Sequence, residues 1–343
     1  MSWDEKPDAA EIRAFLRELT GAPWLDGERK HWPRFLFHIT NIDNAISILK
    51  DGELLSREMA SRRGHMAHEN ANVEIIRKTP DDVRNCVRLY FRPRVPTTFR
   101  NEGIRPYGER DAAHVPVPIA FVFRSEPILV QSNTEFSDGS LARWAHGRRA
   151  RRGDSAAFLA SIPFQDVYHE GRIVTGREDE IRFRRHAEVI IPHRLPLVPY
   201  LAAIRTRSPA ELATLRYGLS SSRDVLERYR DMIGSNTQFD LFNKRWAYVE
   251  TVAFDGQRLR FDFNTSSEAH TPFVLELTVE SPIGIPVVQI EDSRFWAKQS
   301  LIIPVPETGN QSETMLVRLI LDGCIGYEAT LQRNRSTVIR RAN

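Results

Sequence analysis

A histidine and a hydroxyl at the end of a β-strand, just ahead of a helix, can hold a nucleotide, and the chain offers this pair at His38 and Thr40. The run Phe37-His38-Ile39-Thr40-Asn41 leads into Ile42, Ala45, Ile46 and Leu49 at helical spacing. Asn41 or Asp43 can cap that helix, and Gly52 sits where a left-handed stop belongs. Imidazole and hydroxyl supply directed hydrogen bonds, and the unpaired N–H groups of a helix N-terminus face an anion. A strand-to-helix turn with a purely structural histidine would carry the same residues, so the signal needs a second group. Glu188 is the candidate. It opens the apolar run Val189-Ile190-Ile191 after the polar stretch Tyr168 to Phe183, and a carboxylate entering a buried strand must be paired, solvated in a cleft or functional.

Arginine is the third chemical signal. Arg88, Arg92 and Arg94 stand beside Tyr90 and Phe91, and such a mixture grips phosphates and stacks on bases as readily as it lines a solvated strand edge. Arg148-Arg149-Ala150-Arg151-Arg152 is the densest positive cluster. Charge runs are mostly solvated faces, but arginine without lysine favours two-pronged phosphate contact.

The elements that must position these groups follow from periodicity. Ala10, Ile12, Phe15, Leu16 and Leu19 mark an amphipathic helix; Arg34–His38, Cys86–Phe91, Ile119–Phe123, Ile128–Val130 and Val189–Ile191 read as strands. Ser61–His68 and Tyr168–Phe183 read as loops. After Arg207 the character changes. Ser208 caps a helical stretch with Pro209 at its first position, and Leu212, Leu215 and Leu219 share a side. Beyond it Leu259, Phe261 and Phe263 alternate with Arg258, Arg260 and Asp262, while Asp255-Gly256 and Asp322-Gly323 mark hairpin turns. Short strands in this number make a small antiparallel sandwich, without a catalytic constellation of its own.

Composition bounds the partners. The 343 residues carry 48 Lys and Arg against 45 Asp and Glu, so a polyanion surface must be a local patch. The two cysteines, Cys86 and Cys324, lie far apart and have no neighbours at metal-ligand spacing, which points to a reducing compartment and no metal. No apolar run approaches the ~18 residues that span a bilayer, and the first residues are charged. The expectation is a cytoplasmic protein with no membrane partner.

Four stretches, in order, resemble the DarT family of nucleic-acid ADP-ribosyltransferases. They are Phe37–Asn44 with Ile48-Leu49 and Gly52-Glu53-Leu54-Leu55, then Tyr90-Phe91-Arg92-Pro93-Arg94-Val95-Pro96, Phe136-Ser137-Asp138-Gly139, and Arg185-His186-Ala187-Glu188-Val189-Ile190-Ile191-Pro192. Together they cover residues 30 to 205 or so. The resemblance implies an α+β fold, an ADP-ribosyltransferase-like split-sheet core with a C-terminal antiparallel β-sandwich-like domain. The expected division is 1–205 for the catalytic domain, 206–240 for a helical connector and 241–343 for a β-rich accessory domain.

It further implies cleavage of NAD+ as co-substrate, without a metal, and transfer of ADP-ribose to a base, characteristically in single-stranded DNA. Family members are usually restrained by an antitoxin, and some act in defence against phage; a chaperone or a phage trigger is a further possible partner. His38 would hold the adenosine side of NAD+ with Thr40, Asn44 and Tyr90, and Glu188 matches the catalytic glutamate. Arg77 is the best match for the catalytic arginine, with Arg57, Arg62 or Arg63 as alternatives. Tyr168, Arg172 and Arg177 fall on the substrate-recognising loop, and Arg94, Arg148, Arg149, Arg151 and Arg152 would extend a backbone track. The family favours a second histidine where Asn41 stands and a smaller residue at Arg92, which leaves the target base, and DNA against RNA, open. A protein side chain as acceptor, or a non-catalytic nucleic-acid-binding protein with a decayed site, are the competing readings.

Overall fold

The computed structural model describes residues 4–65, 80–110, 113–142, 149–235, 240–306, 314–332 and 337–338. The chain divides into two compact units, one of residues 1–39, 43–98 and 120–204, the other of 40–42, 99–119 and 205–343. The segment 99–119 and the helical stretch after 205 therefore group with the C-terminal strands, a division that the sequence does not announce.

The first unit starts with helix α1 (Ala9–Thr20), which buries Ala9, Ile12, Leu16 and Leu19 along one stripe. Its strands are β1 (Phe35–Asn41), β2 (Glu53–Leu55), β3 (Cys86–Tyr90), β4 (Pro118–Arg124), β5 (Glu135–Ser137), β6 (Arg152–Gly153), β7 (Glu188–Pro192), β8 (Arg194–Pro196) and β9 (Leu201–Thr206). A mixed sheet runs in the order β9-β4-β1-β3-β7-β5-β6, and β2 and β8 form a separate two-stranded ribbon. Helix α2 (Ile42–Asp51) follows β1 directly and stops at Gly52, whose φ of 72° is the left-handed end that its position predicts. Along β3, Val87 and Leu89 are buried while Cys86, Arg88 and Tyr90 remain partly exposed, so the strand has one apolar and one chemically equipped face.

Two sequence expectations change here. Ile128–Val130 is not a strand: Glu126–Leu129 forms a short helix with Pro127 in its first turn, where the fixed φ of proline favours helix. The polar stretch before Glu188 is not all loop. Glu178–Arg184 is helical, with Glu178, Asp179 and Glu180 in its first turn, Arg182 and Arg184 in its last, and Ile181 and Phe183 buried. That charge order complements the helix dipole, and two buried apolar groups anchor it.

The second unit carries β10 (Ile233–Ser235), β11 (Val249–Phe254), β12 (Arg258–Phe263), β13 (Phe273–Glu280), β14 (Pro286–Phe295), β15 (Leu301–Pro304), β16 (Thr314–Leu321), β17 (Cys324–Gln332) and β18 (Thr337–Val338). Two antiparallel four-stranded sheets, β15-β12-β11-β18 and β14-β13-β16-β17, enclose one core in which Phe261 meets Tyr327 edge-on at 5.8 Å between ring centroids. Asp322 and Gly323 both take left-handed φ, 47° and 74°, as a tight β16–β17 turn demands. The helix Pro209–Gly218 begins under a Ser208 cap that accepts from the Glu211 amide at 3.1 Å, and a second helix spans Arg223–Tyr229. Among the described residues no helix is long and apolar enough to cross a membrane.

Candidate active site

The first unit brings its chemistry together on three neighbouring strands, β1, β3 and β7. Tyr90 stands directly opposite Glu188 in the antiparallel β3–β7 ladder, with Arg88 opposite Ile190, so Arg88, Tyr90 and Glu188 emerge on one face. The fork of Arg88 closes on the Glu188 carboxylate, Nε donating to Oε2 and Nη2 to Oε1, the latter at 2.6 Å. Glu188 has no exposed side-chain surface and Arg88 keeps 29 % of its own. Burial presses the guanidinium towards losing its proton, but the Glu188 charge more than offsets that and leaves the arginine pKa above its ordinary value. The Tyr90 hydroxyl is pushed up to about 12, by burial first and then by the Glu188 charge.

His38 enters from the other side of β3. The β1–β3 pair Phe37 and Tyr90 is in register, and beside it the His38 ring reaches the Arg88 carbonyl through Nδ1 at 3.3 Å. A carbonyl only accepts, so Nδ1 carries the proton and Nε2 presents a lone pair. Burial lowers the His38 pKa to about 4, so the ring is neutral at physiological pH. A neutral imidazole of fixed tautomer is an acceptor suited to a hydroxyl or amine of a nucleoside. Thr40 and Asn44 are both buried at the β1–α2 junction.

The loop before Glu188 is held by groups that the sequence gives little hint of. Ser137 Oγ accepts from the Glu188 amide at 2.9 Å and donates to the Gly139 carbonyl at 2.9 Å, fixing the start of β7. A Cβ on Gly139 would meet the Phe183 ring at 2.2 Å, so glycine is required for the helix Glu178–Arg184 to close here. Arg184 Nη1 reaches the Asp138 carbonyl at 2.6 Å and its carboxylate at 2.9 Å. Burial raises the Asp138 pKa, but the bonds from Arg151 and Arg184 outweigh it and hold the carboxyl below its usual range. Arg92, nearly sealed from water, donates to the His169 carbonyl at 2.7 Å and the Val167 carbonyl at 3.1 Å, pairs with Glu170, and stacks over Trp32. Arg94 takes the other Glu170 oxygen at 3.0 Å. The departure at Arg92 thus has a structural role: it pins the chain at Val167–Glu170, where the stretch expected to recognise substrate begins.

The remaining candidates separate. Tyr168, expected as a base contact, is fully buried against Trp24, Trp32 and Phe164 and offers no surface to a nucleic acid. Its ring is part of the core that Arg92 covers. Arg172, between the left-handed Gly171 and Gly176, and Arg177, just after them, are both exposed, and Arg177 pairs with Asp166 at 2.7 Å. Arg151 is committed to Asp138 at 2.8 Å and Arg152 to Glu135 at 2.9 Å and to Asp82. Arg149 is exposed. Arg77 and Arg148 lie outside the described residues. Arg57 and Arg62 line a cavity of about 570 Å³ with Glu58, Ser61, Asp81, Asp82, Arg84 and Asn85, and neither His38 nor Glu188 borders it. Arg63 pairs with Glu53 at 2.9 Å. The arginine that does meet Glu188 is Arg88, and the sequence held a signal for it. Alternation in Cys86-Val87-Arg88-Leu89-Tyr90 puts Arg88 on the polar face, and a glutamate entering a buried strand needs a cation beside it.

Comparison with known proteins bears on residues 37–231, which match the family described as DarT, ssDNA thymidine ADP-ribosyltransferase. The match reaches past 205 into the two helices of the second unit. No curated protein matches the chain. Among solved structures, Thermus sp. 2.9 DarT in complex with ADP-ribosylated ssDNA aligns at 18% identity and a TM-score of 0.46, covering 61% of this chain and 96% of that one. The same Thermus protein in complex with NAD+ aligns at 18% identity and a TM-score of 0.43, covering 61% and 98%. The matched family segment spans more than half of the sequence, and the chain belongs to the DarT family.

Proposed function

We propose that this chain breaks the nicotinamide–ribose bond of NAD+ and joins the ADP-ribose to a thymidine base of single-stranded DNA. The observation that carries the reading is Glu188, a fully buried carboxylate gripped by a residue whose carbonyl also holds His38. The family description supplies the substrate class. His38 Nε2 accepts from the adenosine portion of NAD+, with Thr40 and Asn44 at the adjoining helix start. Glu188 has no exposed surface in the free chain, so the partly exposed side chains beside it, Arg88 and Tyr90, shift on substrate entry and let it face the nicotinamide ribose. As the bond from C1′ to nicotinamide nitrogen breaks, its electron pair leaves with nicotinamide, and the carboxylate stabilises the positive charge that develops on the sugar. A base nitrogen then bonds C1′ and its proton passes to Glu188, a transfer worth roughly two to four powers of ten in rate. A single strand fits this chemistry, because extracting a paired base costs a few kcal/mol.

An enzyme that marks template bases endangers its host, so we read the chain as the toxin of a toxin–antitoxin or anti-phage system, acting in the cytoplasm and restrained by an antitoxin. The second unit exposes Ile283, Ile285, Trp296 and Ile302, apolar surface suited to such a partner or to a chaperone or phage trigger. Mass spectrometry of defined oligonucleotides incubated with NAD+ and the protein tests the activity. The expected product is one ADP-ribose on thymidine-containing single-stranded DNA. An adduct on RNA alone, on protein alone, or none beside intact NAD+ overturns the reading.

A further inference from the structure

The chemistry above leaves Arg88 unassigned. Its guanidinium contacts Glu188 from both Nε and Nη2, while its backbone carbonyl contacts His38 at 3.3 Å. One residue therefore reaches both candidate groups, with its side chain on the carboxylate and its main chain on the imidazole. Each Glu188 oxygen accepts one Arg88 N–H and retains a further lone pair for a ribose hydroxyl or a base proton.

We propose that Arg88 is a positioning residue of the transfer reaction: its planar fork sets the orientation of the Glu188 carboxylate, and its carbonyl sets the tautomer of His38. The inference rests on the NAD+-dependent reading given above. A two-pronged guanidinium contact fixes the carboxylate plane, whereas a lysine ammonium is a point charge that leaves the plane free to rotate. The carbonyl belongs to every residue type, so a substitution at position 88 spares the contact to His38.

This division predicts a split between the kinetic constants. Arg88→Lys and Arg88→Gln lower kcat for transfer to a single-stranded oligonucleotide by about 10²-fold, the cost of a misplaced catalytic group. The KM for NAD+ stays within about twofold, because substitution leaves the His38 contact in place. Steady-state kinetics of the full chain read both. A kcat within about twofold of the unsubstituted protein, or a KM that rises as much as kcat falls, overturns the proposal. Thermal unfolding supplies a readout independent of activity. Arg88→Gln strands the buried Glu188, so the double variant Arg88→Gln, Glu188→Gln must melt higher than the single one; a lower melting point for the double variant also overturns the proposal. Should the unsubstituted protein transfer nothing to any nucleic acid, the enzyme reading fails by itself, and the unfolding comparison still decides whether the fork holds Glu188.

Discussion

Each unit contains a buried arginine–glutamate pair, and the two are built for different ends. In the second unit Arg207 and Glu211 are four residues apart, joined by Arg207 Nε to Oε1 at 3.0 Å, by Nη2, and by the Arg207 amide to Oε2 at 3.0 Å. Arg207 also donates to the Pro116 carbonyl at 2.7 Å, lies 4.5 Å over the Tyr248 ring, and has no exposed side-chain surface. Glu102, beside it at 3.6 Å, receives the Asn243 and Lys244 amides at 2.7 and 2.9 Å. This network is spent on its own chain and pins the segment 99–119 to the start of a helix. In the first unit Arg88 and Glu188 come from strands 100 positions apart, the arginine is part exposed, and the carboxylate keeps lone pairs in hand. Buried charge tied to backbone and several neighbours serves structure; the Glu188 carboxylate, held by one guanidinium fork, keeps lone pairs for reaction.

The sharpest way to break this contrast is to neutralise each glutamate's pair in turn. Glu188→Gln keeps the shape of the side chain and removes the proton acceptor, so ADP-ribosyl transfer falls by about 10² to 10⁴ while the protein remains folded. Near-full transfer would make the first pair as structural as the second. Arg207→Met strands Glu211 and Glu102 in the interior and costs about 3–5 kcal/mol of stability, measured by urea unfolding, with much of the loss recovered when Glu211→Leu is added. A stability change below about 1 kcal/mol would mean that the second network does not pin the segment 99–119.

The same contrast explains what the sequence discloses. The strand positions of His38 and Glu188, the β3 and β7 strands, the Ser208 cap and the two hairpin turns were legible because each depends on local pattern: period two, helical spacing, or a turn that needs positive φ. Arg88 as the partner of Glu188 was half legible, since alternation gives its face but not the strand that pairs with β3. Long-range facts stayed hidden. Nothing in Arg92 announces that it will hold the carbonyls of Val167 and His169, and nothing in Tyr168 says that three aromatic rings will bury it. The grouping of 99–119 with the C-terminal strands depends on Glu102 and Gly103, whose Cβ would meet Trp246 at 2.7 Å, and such contacts leave no local signature.

A third test is the pH response of His38. Its folded-state pKa is about 4 against 6.5 for the free side chain, so between those values the unfolded chain binds a proton that the folded chain refuses. The stability from burying the neutral ring is complete above pH 6.5 and declines as pH falls towards 4, by about 1.4 kcal/mol per pH unit at most. NAD+ affinity should weaken in the lower part of the same window, as protonation removes the Nε2 acceptor. His38→Asn removes the titration and should flatten the stability slope between pH 6.5 and 4, read by urea unfolding at a series of pH values. An unchanged slope would show that this ring is not the titrating group.

The smallest expected effect concerns which arginines meet DNA. By the reasoning that separates the two pairs, a guanidinium already neutralised by its own chain has little charge to give a phosphate. Arg151 is held by Asp138 and Arg152 by Glu135 and Asp82, whereas Arg172 is exposed on the segment between the left-handed Gly171 and Gly176. For a single strand, each phosphate neutralised contributes about 0.7 to the slope of log affinity against log salt. Arg172→Ala should therefore lower the slope by about 0.7, and Arg151→Ala should leave it where it is, both measured by fluorescence anisotropy with a labelled oligonucleotide. Equal losses from both would return the Arg149–Arg152 cluster to the DNA path and show that an internal partner does not retire an arginine from substrate binding.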